Sequence, residues 1–121
     1  MPRIAVPYSN LVPNSNLADP AGTAVSSGAG NGGQVANAFA ELTLLRVSNA
    51  SGGSGTATLL AGSLPLAIAA GQGNLAVTVA NAATQWIGPV ESGRFLQNDG
   101  SLIVETTAAM TVTAFRVPRN T

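Results

Sequence analysis

Trp86-Ile87-Gly88-Pro89, Arg94-Phe95-Leu96-Gln97, Asn98-Asp99-Gly100 and Ser101-Leu102-Ile103-Val104-Glu105-Thr106 lead to Thr111-Val112-Thr113-Ala114-Phe115-Arg116-Val117, and this stretch carries the most legible signals of the chain. Glycine admits positive φ, and proline fixes φ and removes a ladder donor, so a strand reaching Ile87 cannot continue through Gly88-Pro89. Asp99-Gly100 between two apolar arms predicts a type I′ hairpin. The final run is rich in β-branched residues and is stopped by Pro118, the pattern of a strand. The stretch therefore predicts a strand, a corner, a hairpin and a closing strand.

Upstream, Leu42 to Ser48 predicts a strand in which adjacent Leu44-Leu45 breaks alternation, through either a bulge or coverage of both faces. Asn49 to Gly55 reads as a flexible turn and Thr56 to Leu60 as the returning strand of a loose hairpin. Gly62 to Gly73, with Pro65 and the apolar centre Leu64 to Ala70, reads as a loop or edge segment. Leu75, Val77 and Val79 alternate with smaller residues at period two, as in a half-buried strand. Gln34 to Glu41 is compatible with a short helical turn. The expected fold is all-β, an antiparallel β-sandwich or small barrel of about six to seven short strands, preceded by an extended N-terminal arm.

Residues 1–38 form that arm and residues 39–121 the body. Pro2, Pro7, Pro13 and Pro20 oppose a long helix or a central strand, and Ser26 to Gly33 is a Ser/Gly/Asn run with the character of a coil. Its larger apolar side chains are scattered: Ile4, Val6, Tyr8, Leu11, Val12 and Leu17. Ordering a backbone costs roughly 1–2 kcal/mol per residue, more than this scatter offsets, so the arm is expected to be disordered alone. A neighbouring chain is the simplest thing to order it, and its own sandwich the alternative.

Composition narrows the function. Charged residues are 8% of the 121, against about 25% in an average protein, which suits permanent assembly better than monomeric life. All five cations are arginine and the net charge is zero. There is no basic stripe, so no direct nucleic-acid partner is expected. No apolar run reaches the roughly 18 residues of a membrane span, and Met1-Pro2-Arg3 lacks an apolar leader, so a soluble, unexported protein is expected.

Without histidine, cysteine or lysine, the usual general bases and most activated nucleophiles are missing. The carboxylates Asp19, Glu41, Glu91, Asp99 and Glu105 are scattered; a turn explains Asp99 and an exposed strand face explains Glu105 better than a glycosidase pair does. Asn98-Asp99-Ser101 lacks the ligand density of a calcium loop. Gly28-Ala29-Gly30-Asn31-Gly32-Gly33 spells the phosphate-cradling G-x-G-x-x-G pattern but lacks a strand before it and a helix after it, and Asn49-Ala50-Ser51 is a sequon by spelling only. No enzyme activity and no cofactor or metal is expected. The core is expected to claim most of Phe39, Trp86, Phe95 and Phe115, and Arg94 to make a local or intersubunit ion pair near Glu91.

From Trp86-Ile87-Gly88-Pro89 through Arg94-Phe95 and Asn98-Asp99-Gly100-Ser101-Leu102-Ile103-Val104 to Val112-Thr113-Ala114-Phe115-Arg116-Val117, the chain resembles a family of small β-rich structural proteins encoded among the head genes of tailed bacteriophages, capsid decoration or cement proteins. The likeness spans roughly Leu44 to Pro118, and Met1 to Pro7 is similar to the family's opening; the Ser/Gly/Asn segment up to Asn37 departs from it. The resemblance implies a protein of the virion, made in the host cytoplasm and seated on the capsid surface. It would bind the major capsid protein as a homo-oligomer, a trimer, and stabilise the head. Candidate partner-binding residues are Arg3, Ile4, Val6, Tyr8, Leu11, Val12 and Leu17 in the arm and Trp86, Arg94 and Phe95 in the body. The alternatives are a carbohydrate- or host-surface-binding module with Trp86 and Phe95 as stacking residues, and a neck or tail component.

Overall fold

The computed structural model describes residues 3–62 and 73–118, which form ten strands in two facing sheets, a β-sandwich. The first sheet has the order β1 (Ile4–Ala5), β4 (Gly33–Val35), β9 (Leu102–Thr106), β6 (Gly55–Leu59), β7 (Leu75–Val79). The second runs β2 (Tyr8–Asn10), β10 (Met110–Arg116), β5 (Thr43–Asn49), β8 (Thr84–Ile87), with β3 (Thr23–Val25) sharing the β2 side of β10. Both sheets are mixed: β1 runs parallel to β4 and β2 parallel to β10, where a wholly antiparallel arrangement was expected.

Period-two patterning builds the core. In β5, Thr43, Leu45, Val47 and Asn49 point inward and Leu44, Arg46 and Ser48 outward; β9 sends in Leu102, Val104 and Thr106. With Ala57, Leu59, Val79, Val112 and Ala114 they make one apolar layer between the sheets. Each fully buried Leu or Val contributes about 1.5–3 kcal/mol. The register of β5 against β10 is unbroken from Thr43 to Asn49, so Leu44-Leu45 marks no bulge; Leu44 is half-buried on the outer face opposite Phe115.

The division into an arm of 1–38 and a body of 39–121 does not survive folding. Four of the ten strands come from residues 4–35, and Val6, Val25 and Val35 belong to the core. The arm is ordered by its own sandwich, because the edge of β10 not taken by β5 accepts β2 along one half and β3 along the other. Pro7, Pro13 and Pro20 fall between strands, where no ladder donor is missed.

Two expected hairpins are also absent. β5 and β6 lie in different sheets, and β9 pairs with β4 and β6 while the segment before it is a single helical turn, Ser92–Phe95. The reversal at Asn98-Asp99-Gly100 is real, but Asn98 and Asp99 keep negative φ and only Gly100 is positive (85°), a type I turn closed by glycine. The expected turn at Gln34 to Glu41 is instead β4 followed by a 3₁₀ turn at Ala40–Leu42. Most of the segment expected as a loop between Gly62 and Gly73, together with Met1, Pro2 and Arg119, lies outside the described residues.

Candidate functional site

Trp86 and Phe115 sit on strands separated by β5, yet their ring centroids are 5.4 Å apart with planes inclined by 31°. Next-but-one strands lie roughly 9–10 Å apart, so both rings lean over β5 toward each other across the outer face of the second sheet. Arg46 rises between them from β5, its guanidinium 6.0 Å from the Trp86 centroid and 5.5 Å from that of Phe115. The loop between β2 and β3 crosses this face and locks the arginine: Asp19 pairs with Nη1, and Nη2 donates to the Pro20 carbonyl (2.6 Å) and to Thr113 Oγ1 (3.2 Å). The Arg46 side chain is only 14% exposed and Phe115 is buried, while Trp86 stays 57% exposed. The indole is thus flanked by protein and still largely open to solvent.

The arm candidates divide. Val6 is in the core, and Tyr8 is tied down by its hydroxyl, which accepts from Phe39 N (2.9 Å) and bonds Thr43 Oγ1 (2.7 Å). Arg3 pairs with Glu105 at 2.8 Å, and Leu11 is half-buried beside Arg116 and Pro118. Ile4, Val12 and Leu17 remain exposed, as does Phe39, whose ring lies 4.0 Å from the Arg116 guanidinium.

In the body, Phe95 is a core residue and no contact surface, because the helical turn at Ser92–Phe95 tips it inward. Arg94 lies over the Phe95 ring at 4.6 Å and donates to the carbonyls of Gly73 and Asn74, so within the chain main chain and a ring engage it, and of the local or intersubunit ion pair expected near Glu91 the local one is not formed. The core takes Phe95; Phe115 is buried on the outer face against Trp86 and Arg46, and Phe39 and Trp86 are exposed, so one of the four lies between the sheets where most were expected.

The polar motifs serve structure. Asp99 Oδ1 accepts from Ser101 Oγ (2.6 Å) and N (3.1 Å), and these two bonds hold its carboxyl below the ordinary range. Glu105 is no open strand-face residue: it is four-fifths buried against Arg3 and accepts from Gly30 N at 2.9 Å. Burial pushes its carboxyl up, but the Gly30 N–H and the Arg3 guanidinium outweigh that and leave it lowered. The glycine-rich loop runs from a strand, β3, to another strand, β4, and its Gly30 N–H is turned on a carboxylate of its own chain. Asn49 is buried, its Nδ2 donating to Gly53 O (2.8 Å) and Val79 O (2.9 Å) and its Oδ1 accepting from Ser51, so the sequon amide is spent on pinning a turn expected to be flexible. Among the described residues, no group of three His, Cys, Asp or Glu side chains gathers to hold a metal ion, and no helix is long and apolar enough to cross a membrane.

The fold is a two-sheet β-sandwich, and the candidate surfaces it offers are the outer face around Trp86 and a set of exposed apolar side chains. No protein family, curated protein or solved structure matches the chain. Sequence reasoning singled out Trp86 but missed Arg46, Asp19 and Phe115 as its companions. Their only local signal is the outward parity of Arg46 in an apolar strand; the register among β8, β5 and β10 makes them neighbours.

Proposed function

We propose that this chain is a structural protein of a virus particle, a decoration or cement subunit that binds the major capsid protein lattice and stabilises the head. In this reading it performs no chemistry, works as a homo-oligomer on the capsid surface and contacts neither nucleic acid nor membrane. The observation that carries the reading is where the exposed apolar side chains lie. Of the five large ones among the described residues, Ile4, Val12, Leu17 and Phe39 fall between residues 4 and 39, in a chain with only ten Asp, Glu, Lys and Arg. Large apolar side chains left in water on a weakly charged surface are what an assembly contact buries. Residues 4–39 thus supply the adhesive side chains, while the two sheets set their spacing. Repetition over a symmetric lattice multiplies a modest contact through avidity.

The test is titration of the purified chain onto shells of the major capsid protein, comparing wild type with Val12→Ser/Leu17→Ser. Both side chains are exposed, so the variant folds; it is expected to lose occupancy by about tenfold or more. Unchanged saturation of the shells by the variant overturns the assignment of the contact to this segment. Absence of binding by wild type overturns the capsid reading itself. On native particles, a copy number in the hundreds marks a shell component and a ring-sized number a neck or tail component.

A further inference from the structure

We infer that the outer face of the second sheet around Trp86 is a glycan-binding site for neutral pyranose chains of the glucose or N-acetylglucosamine type. The inference does not depend on the capsid reading.

Three features combine. The Trp86 indole stands 5.4 Å from the Phe115 ring and 6.0 Å from the Arg46 guanidinium, yet 57% of the residue stays exposed, so the ring is flanked by protein with much of its surface open to a ligand. A pyranose with equatorial hydroxyls carries its axial C–H groups on a flat apolar face, the complement of such a ring, whose face is negative and whose supply of apolar contact is large. The second feature is what surrounds the indole. Along the same outward parity lie the Ser48 and Thr84 hydroxyls, 3.1 Å apart, and beside Arg46 stands the Asp19 carboxylate with its side chain 83% exposed. An exposed indole rimmed by hydroxyls, a carboxylate and a guanidinium matches a ligand that is apolar on its face and hydroxylated on its rim.

The third feature sets the charge of the ligand. Arg46 is neutralised by Asp19 and turned toward Pro20 and Thr113, so the outermost ionic group is an anion. Uronate and sialate chains would meet that carboxylate head-on, whereas a neutral sugar donates its hydroxyls to it.

The chain has a single tryptophan, so fluorescence excited at the red edge, where the one tyrosine does not absorb, reads Trp86 alone. Full-length protein is titrated with cellohexaose, chitohexaose and polygalacturonate fragments. A saturable shift or quench of emission is expected with at least one neutral chain and none with polygalacturonate. By isothermal calorimetry, Trp86→Ala should lose about tenfold or more in affinity, and Asp19→Ala, which releases Arg46, should weaken binding as well. Val12→Ser is expected to leave glycan binding unchanged, which separates this site from the capsid contact. No response to either neutral chain by protein shown to be folded by circular dichroism overturns the inference, as does a response confined to polygalacturonate or binding that survives Trp86→Ala.

Discussion

Arg3 Nη1 lies 2.8 Å from Glu105 Oε2, so the residue just before β1 is tied across β4 to β9, the central strand of the first sheet. Both side chains are about four-fifths buried, and the same carboxylate oxygen accepts the Gly30 amide at 2.9 Å. One anion therefore gathers the start of the chain, the glycine-rich loop and the centre of the first sheet. Charge-assisted bonds in such partly dry surroundings are stronger than those on an open surface.

Glu105→Gln retains an acceptor for Gly30 but removes the charge that Arg3 faces. A loss of about 1–2 kcal/mol is expected, read as a lower urea midpoint with unchanged slope. An unaltered midpoint would show that the ion pair makes no net contribution.

Acid should loosen the same clamp. The carboxyls of Glu105 and Asp99 are both lowered in the folded protein, so the unfolded chain binds protons more readily than the native one. Their stabilisation is fully present above the ordinary carboxylate range of about 4 and is lost as pH falls through the lower folded values. Urea midpoints across that interval should decline for wild type and decline less for the Glu105→Gln/Asp99→Asn double variant.

Deletion of residues 1–38, harmless if they were a separate arm, should instead unfold the protein. It removes Val6, Val25 and Val35 from the core and strips β10 of both β2 and β3. Three buried valines at about 1.5–3 kcal/mol each are comparable with the whole stability of a small domain. Circular dichroism and dye binding of the truncated chain check this, and a cooperative native-like melt would refute it.

Gly32→Ala should be among the most damaging single methyl additions. A Cβ there would stand 2.1 Å from the Val104 carbonyl oxygen on a backbone with φ of 92°. A loss of about 2–4 kcal/mol is expected, against about 1 kcal/mol for Gly30→Ala, where φ is also positive but the space is open. Thermal melts of the two variants side by side make the comparison.

The strands of the body were readable one at a time. Leu75–Val79 and Leu102–Thr106 follow from alternation, and the ends of β8 and β10 at Ile87 and Arg116 follow from the Gly88-Pro89 and Pro118 breaks. The pairings were not readable. Asp99-Gly100 reverses the chain, but turn chemistry does not say whether the next strand returns to its predecessor or crosses to the facing sheet. Of the residues offered as contacts, Trp86 is exposed and Phe95 buried, although both are aromatics in apolar runs. A strand and a helical turn aim their side chains by different periods, and the four-residue turn at Ser92–Phe95 is too short to leave a periodic trace.

By itself the sequence determined that this is a β protein with an apolar, weakly charged surface, because period-two alternation, proline and glycine act over a few residues and composition acts everywhere. Only the tertiary structure decided that the first 38 residues complete both sheets, that Glu105 holds Arg3 and Gly30, and that Trp86, Arg46, Phe115 and Asp19 share one face. Those are meetings of residues 27 to 102 positions apart, and they exist only once the edge of β10 and the middle of β9 have been built for the early segments to join.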